Sequence, residues 1–130
     1  SRNAARVLGV ELNKDAVRDA VSNAKRNQIS NIRFYLNDAG KFLLEMAEEK
    51  MSLDVLLMDP PRSGSSEEFL NAAAKIAPER IVYISCNPVS LVRDLKLLTK
   101  KGYRTLRCVA IDMFPYTDAV EAVCLLSKLR

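Results

Sequence analysis

Cys86 is the first residue in this chain whose position suggests chemistry, because it stands where an apolar stretch meets the start of a helix. Residues 81–84 are Ile-Val-Tyr-Ile, which is the composition of a strand buried on both faces. Asn87 is a favoured N-cap and Pro88 suits the first helical position, so a helix is predicted from there to about Lys101. The amides and dipole of that helix start favour a thiolate. The alternative is a cysteine that packs as a small hydrophobe.

Three carboxylates follow three successive predicted strands in the same way. They are Glu11, Asp38 and Asp59. Parallel strands end at one edge of a sheet, so these acids are predicted to lie on the same edge as Cys86, where open α/β sheets bind their ligands. An acid after the second strand of a nucleotide-binding unit typically accepts hydrogen bonds from ribose hydroxyls. Taken singly, each acid is better explained without a ligand, Asp38 as an N-cap and Glu11 as a solvated strand end.

Two further patterns complete the candidate site. Pro60 and Pro61 stop the third strand sharply and fix the backbone that carries Asp59. Glu121 lies near the start of the last predicted strand. If that strand runs antiparallel to the others, Glu121 comes near Cys86, and a thiolate beside a carboxylate suits nucleophilic addition followed by proton removal.

The elements that must position these residues alternate along the chain. This alternation predicts an α/β fold with a doubly wound, mostly parallel sheet. The loop before the last strand is too short for a crossover helix, so one of the last two strands is predicted to be antiparallel. The predicted strands are 7–11, 32–36, 53–58, 81–84, 103–109 and 120–127, and the predicted helices are 14–27, 39–50, 67–77 and 87–101.

Finer expectations accompany these elements. Ser65 and Glu68 have the spacing of a capping box. Cys108 and Cys124 fall inside predicted strands and are interpreted as core residues. The fourth helix is expected to turn an apolar face inward, formed by Leu91, Val92, Leu95 and Leu98.

Composition limits the class of protein. The 130 residues, 48% of them hydrophobic and 28% charged, predict one globular domain spanning 1–130. No apolar run approaches the roughly 20 residues of a membrane helix, so no membrane partner is expected. Three cysteines argue against a disulfide framework and for a reducing compartment, the cytoplasm. Histidine is absent, which removes the commonest metal ligand, and no metal site is predicted; a net charge of +4 permits a polyanionic partner.

Three ordered motifs resemble the RNA uracil-5 methyltransferase family, which uses S-adenosylmethionine to form 5-methyluridine in tRNA and ribosomal RNA. The resemblance covers essentially the whole chain and implies a Rossmann-like methyltransferase fold. It rests on Asp59-Pro60-Pro61-Arg62-Ser63-Gly64, on Ser85-Cys86-Asn87-Pro88 followed by Arg93-Asp94-Leu95, and on Asp112-Met113-Phe114-Pro115 leading to Val120-Glu121.

The resemblance also implies roles for individual residues. Cys86 would be the nucleophile that adds to C6 of uracil, and Glu121 would accept the proton from C5. Glu11 would bind the cofactor ribose, Asp38 would lie beside its adenine, and Asp59 would close the cofactor and base site. The target uridine would have to leave its stack to reach the thiol.

Two features depart from the family pattern. Ala119 stands where members typically carry a histidine. The family's first strand and glycine-rich loop are missing, so the chain is interpreted as a C-terminal fragment of the catalytic domain that binds cofactor poorly and is inactive alone. The strands ending at Glu11 and Asp59 should then pair directly, or a second copy of the chain should fill the gap, because unpaired interior backbone is costly.

Two other classes remain open. A cytosine-5 methyltransferase uses the same thiolate addition, although Glu121 after the Asp-Met-Phe-Pro motif favours uracil. A non-catalytic nucleic-acid-binding domain is the alternative from a different class. Its candidate footprint is basic: Arg93, Lys96, Lys100, Lys101, Arg104 and Arg107.

Overall fold

The computed structural model describes residues 3–129, which form alternating strands and helices. The order along the chain is β1 Val7–Glu11, α1 Lys14–Arg26, β2 Ile32–Leu36, α2 Ala39–Glu48, β3 Val55–Met58, α3 Glu67–Ile76, β4 Arg80–Ser85, α4 Pro88–Lys100, β5 Tyr103–Ile111 and β6 Glu121–Lys128. Every predicted strand and helix is present, and the α/β class of Rossmann-like type with an antiparallel last strand is confirmed.

The chain divides into two compact units, the first ending at Phe42 and the second beginning at Leu43. In the first unit β1 and β2 are parallel, and Gly9 of β1 lies opposite Phe34 of β2. A Cβ on Gly9 would come within 2.5 Å of the Phe34 ring, so the ring occupies the space that any other residue would need. The expectation of a single domain over 1–130 stays a prediction.

The second unit contains a four-stranded sheet in the order β3-β4-β6-β5. β3 and β4 are parallel, whereas β6 runs antiparallel to both β4 and β5. Side chains of β4 and β6 alternate between buried and half-buried, so one face of this sheet packs into the core. That core takes Leu70 from α3 and Leu91 and Leu98 from α4.

The structure corrects the predicted pairing of β1 with β3. β1 pairs with β2, and β3 pairs with β4, in two separate sheets. The prediction that β1 and β3 pair directly is therefore wrong. Val55 and Leu57 of β3 are 49% and 64% exposed, as in a strand at the edge of a sheet. The other expectation, that a second copy of the chain fills the gap, stays a prediction.

Three finer expectations are also wrong. The N-cap of α3 is Ser66, which accepts a hydrogen bond from the Phe69 amide, and not Ser65. Val92 does not belong to the inward face of α4, because it is 51% exposed.

The third correction concerns the cysteines, because the structure joins Cys108 to Cys124 in a disulfide. Cys124 is fully buried as expected, but Cys108 is exposed, as are all residues of β5 after Tyr103. A β-bulge between Thr105 and Arg107 shifts the register by one residue and brings the two cysteines opposite each other.

Tyr103 anchors the start of β5 in the core and gives a test of this packing. Its buried hydroxyl donates a hydrogen bond of 2.9 Å to the Pro78 carbonyl oxygen. Tyr103→Phe leaves that carbonyl without its partner and should lower the free energy of unfolding by about 1–2 kcal/mol, measured by urea denaturation. Tyr116→Phe, at a fully exposed side chain, is the control and should change nothing.

The same residue predicts a pH dependence. Burial raises the pKa of Tyr103 from 10.0 to about 12, so folding favours the neutral phenol. The resulting stabilisation is complete below pH 10 and is lost as the pH rises toward 12. Tyr103→Phe should reduce this alkaline loss without abolishing it, because burial raises the pKa of Tyr83 as well. At neutral pH, a urea midpoint of Tyr103→Phe equal to that of wild type would contradict a stabilising hydrogen bond between the Tyr103 hydroxyl and Pro78.

Candidate active site

Cys86 lies in the turn between the end of β4 and the start of α4, as predicted. Ser85 and Asn87 close this turn: the Ser85 hydroxyl accepts from the Asn87 amide at 3.1 Å and donates to the Asn87 carbonyl oxygen at 3.0 Å. The Asn87 side chain caps α4 by accepting from the Val89 amide at 3.1 Å. Cys86 is half-buried, a free thiol, and outside both core clusters, which does not fit a cysteine packed as a small hydrophobe.

Glu121 lies at the same end of the sheet as Cys86. Ser85 of β4 pairs with Ala122 of β6 in the antiparallel ladder. Cys86 follows Ser85 and Glu121 precedes Ala122, so both residues come directly beyond this last pair. Glu121 is half-buried and is also paired with Ile111 of β5. The antiparallel direction of β6 thus brings a carboxylate to the end of the sheet where the thiol emerges.

Asp59 reaches this end from the other side of β4. β3 and β4 are parallel, with Met58 paired to Tyr83, so the residue that follows β3 lies toward the carboxyl end of β4. Asp59 itself is exposed. It begins the segment 59–64, which we call the proline loop and which hydrogen-bonds to α4 through the Arg62 carbonyl oxygen. Within this unit, the structure thus collects Cys86, Asp59 and Glu121 at one end of the sheet.

Glu11 and Asp38 belong to the first unit, at the carboxyl ends of β1 and β2. The Asn37 amide donates to the Glu11 carbonyl oxygen at 3.2 Å, so these two strand ends are joined. Both carboxylates make local hydrogen bonds: Glu11 accepts from the Asn13 amide at 2.8 Å, and Asp38 from the Lys41 amide at 2.9 Å. The capping role considered for Asp38 is thus present, and Glu11 is exposed at its strand end.

Sequence reasoning missed the most deeply buried carboxylate of the site region, Asp94. Its side chain is 1% exposed and accepts hydrogen bonds from Tyr83 and from the Ser65 amide. The signal that could have found it is its spacing, since Asp94 falls on the inward face of α4 between Leu91 and Leu98. An acid in an apolar stripe requires a buried partner.

The basic residues considered as a nucleic-acid footprint are divided between α4 and β5. Arg93, Lys96 and Lys100 line a groove of about 760 Å³ between α3 and α4. Arg104 and Arg107 lie instead on β5, and Lys101 is the C-cap of α4. Arg93 is already paired with Asp94 at 2.8 Å, so its charge is partly neutralised within the protein.

Residues 3–129 contain neither a metal-binding cluster nor a membrane-spanning helix. No cluster of three or more histidine, cysteine, aspartate or glutamate side chains in this part of the chain could hold a metal ion. None of the helices described there has the length and apolar character needed to span a membrane.

Comparison with solved structures defines the class of fold. NSun6 from Pyrococcus horikoshii, solved with the ligand SFG, superimposes with a TM-score of 0.77 over 96% of this chain and 42% of that protein, at 17% sequence identity. The tRNA (uracil-54, C5)-methyltransferase of Pyrococcus abyssi, in complex with S-adenosyl-L-homocysteine, superimposes with a TM-score of 0.77 at 32% identity. That match covers 93% of this chain and 28% of the archaeal enzyme. The fold is that of the Rossmann-like methyltransferases.

The family follows from the sequence as a whole. Residues 1–129 match the model of the tRNA (uracil-5-)-methyltransferase family, and the chain belongs to that family. An uncharacterized RNA methyltransferase of Caldanaerobacter subterraneus is 41% identical over 129 residues, which cover 99% of this chain and 28% of that protein. The chain thus spans little more than a quarter of the length of this relative.

The state of the cysteines predicts a labelling pattern. Prepared without reductant, the chain should take up one carbamidomethyl group from iodoacetamide, at Cys86, because Cys108 and Cys124 are joined. After denaturation and reduction it should take up three, counted by mass spectrometry of the intact chain and its peptides. Cys86→Ser is the control and should remain unlabelled before reduction; labelling of Cys108 at that stage would contradict the disulfide.

Proposed function

We propose that this chain carries the nucleophile and the proton acceptor of an S-adenosylmethionine-dependent enzyme that methylates C5 of uracil in RNA. The supporting observation is the β4–β6 register, in which Ser85 pairs with Ala122, so that Cys86 and Glu121, the next residue on each side, come at the same end of the sheet. Covalent addition to a pyrimidine needs such a pair, because one group must attack the ring and another must later remove a proton.

The thiolate of Cys86 attacks C6 of uracil, and the electron pair of the C5–C6 double bond moves toward the C4 carbonyl to give an enolate. When bound, the cofactor supplies the methyl group that C5 of this enolate takes up. Glu121 then removes the C5 proton, the C5–C6 double bond re-forms, and Cys86 leaves as a thiolate. The glutamic acid returns its proton to solvent. Covalent catalysis in this way divides one difficult step into several easier ones.

The carboxylates fit the hydroxyl and amino groups of a nucleoside cofactor. Glu11 and Asp38 lie at neighbouring carboxyl ends of parallel strands, where such folds bind nucleotides. Glu11 would accept from the ribose hydroxyls, and Asp38 would lie beside the adenine. Asp59, held by the two prolines, would close the site over the cofactor and the base. S-adenosyl-L-homocysteine, bound by the P. abyssi relative, is what S-adenosylmethionine becomes after it gives up its methyl group.

The partner in this proposal is a tRNA or ribosomal RNA that presents an unstacked uridine, and the enzyme would act in the cytoplasm. The chain is little more than a quarter as long as its relative, and we assign it no activity alone. A second copy of the chain could pair with β3 and so complete the sheet, and the proposal gives it no other role. The tests therefore use a protein of the relatives' full length that contains this chain.

The nucleophile is tested with RNA that contains 5-fluorouridine. Fluorine at C5 cannot be removed as a proton, so the methylated adduct should persist and migrate as a protein–RNA band in denaturing gels. Cys86→Ala should lose this band completely, while Cys124→Ala, at a cysteine outside the site, should keep it at 25 °C if the variant is folded. A non-catalytic binding protein would retain RNA affinity in Cys86→Ala and give no adduct in any variant.

The proton acceptor is tested with ordinary uridine RNA. Glu121→Gln leaves addition and methyl transfer possible but removes the base, so a methylated covalent adduct should accumulate and turnover should fall by at least about 10²-fold. The wild-type protein should show no such adduct. Turnover in Glu121→Gln equal to that of wild type would exclude Glu121 as the base. Methylation of cytidine in place of uridine by the wild-type protein would favour the cytosine-5 alternative.

A further inference from the structure

One buried carboxylate, Asp94, links β4 and α4 to the residue that follows the proline loop. One of its oxygens, Oδ2, accepts from the Tyr83 hydroxyl at 2.6 Å and from the Ser65 amide at 2.7 Å. The other, Oδ1, accepts from Nε of Arg93 at 2.8 Å. A carboxylate that is 1% exposed is tolerated only with such complete pairing. Burial, followed by the hydrogen bond to Asp94, raises the pKa of Tyr83, so its hydroxyl remains a donor.

Arg93 carries this anchor into the loop. Its Nη2 donates to the carbonyl oxygens of Ser63 and Ser65, at 3.0 and 3.2 Å, on either side of Gly64. The Arg93 side chain is 60% exposed, so solvent weakens its attraction to Asp94. Its contribution is therefore mainly geometric, because a planar guanidinium held by Asp94 presents its donors in one direction.

Gly64 allows the loop to approach α4 this closely. Its φ of +82° is in the left-handed region, and a Cβ there would lie 2.6 Å from Nη2 of Arg93 and 2.7 Å from Oδ2 of Asp94. The Ser90 Cβ would be 3.0 Å away. The loop backbone thus lies directly against Arg93 and the buried Asp94, with no room for a side chain between them.

The same loop is tied to the cap beside Cys86. The Arg62 carbonyl oxygen accepts from Nδ2 of Asn87 at 3.0 Å and from the Ser90 hydroxyl at 3.1 Å. Asn87 is the residue after Cys86 and the N-cap of α4. Carbonyl groups of residues 62, 63 and 65 are therefore all bound by side chains of the cap and first two turns of α4.

We propose that Asp94 is a positioning residue that fixes the proline loop, and with it Asp59, relative to the thiol of Cys86. Asp94 touches neither RNA nor cofactor in this proposal. It acts through Arg93, Ser65 and Gly64. The inference rests on the proposed function, in which Asp59 closes the site over the base that Cys86 attacks. Misplacing a positioning group by about 1 Å can cost about 10²-fold in rate.

Asp94→Asn is the informative change, since the amide has nearly the same shape. Its oxygen can still accept from Tyr83 and Ser65, but its NH2 group then faces Nε of Arg93, so donor meets donor and the link to the loop is broken. Asp54→Asn, at an exposed acid just before β3, removes the same charge and is the matched control. Both variants are made in a protein of the relatives' full length that contains this chain, and they are tested with 5-fluorouridine RNA and S-adenosylmethionine.

Adduct formation distinguishes a positioning role from a structural one. Its amplitude reports the folded fraction of the protein, and its rate constant reports how well the site is arranged. At a temperature well below the melting point, Asp94→Asn should give the full adduct amplitude per protein, but with a rate constant lowered about 10- to 100-fold. A purely structural role would lower the amplitude with the folded fraction and leave the rate constant unchanged, which would overturn the proposal. Asp54→Asn should match wild type in both quantities.

Gly64→Ala approaches the same contact from the loop side. It should lower the same rate constant, and the double variant with Asp94→Asn should lose less than the product of the two single losses, because both changes break one network. Independent, multiplicative losses would overturn the proposal. A wild-type protein that forms no adduct overturns the proposed function and this inference with it. An active wild type with an unchanged Asp94→Asn rate overturns this inference alone.

Discussion

The antiparallel insertion of β6 between β4 and β5 is the constraint on which the candidate site depends. Parallel strands deliver only their own carboxyl ends to the ligand edge of a sheet, so Cys86 and Asp59 reach that edge by following β4 and β3. A residue at the beginning of a strand can join them only if its strand runs the other way. β6 does so, and the Ser85–Ala122 pair sets where Glu121 emerges. Reversing one strand therefore brings the proposed base, Glu121, to the end of the sheet that holds the proposed nucleophile, Cys86.

Much of this arrangement could be predicted from the sequence, because the strands and helices carry strong local signals. The apolar run before Cys86 and the Asn87-Pro88 pair fix the end of β4 and the start of α4 within a residue. The short connection before β6 indicated its direction. These features depend on residues close together in the chain, where hydrophobic period, capping preference and loop length decide the outcome.

What the sequence did not reveal depends on distant partners. Asp94 was missed because an acid on a helix is ordinarily solvated, and only the approach of Tyr83 and Ser65 explains its burial. The Cys108–Cys124 pair depends on the bulge near Thr105: in an unbroken register Cys108 would face Val123. The bulge leaves no pattern in the neighbouring residues, whereas Asp94 leaves only its spacing between Leu91 and Leu98. The prediction that Val92 is buried was wrong because the inward face of α4 passes through Asp94 and not through Val92.

The edge of β3 has a consequence for the physical behaviour of the chain. Its backbone pairs with β4 on one side only among the strands described, and it carries Val55 and Leu57 with large exposed areas. Apolar edges act as templates for extended peptides that meet them, but β3 is short and is bounded by Asp54 on one side and by Asp59 and two prolines on the other. In concentrated solution these flanking residues limit sheet growth between molecules at this edge, and a lysine at position 57 would act as a further gatekeeper against it.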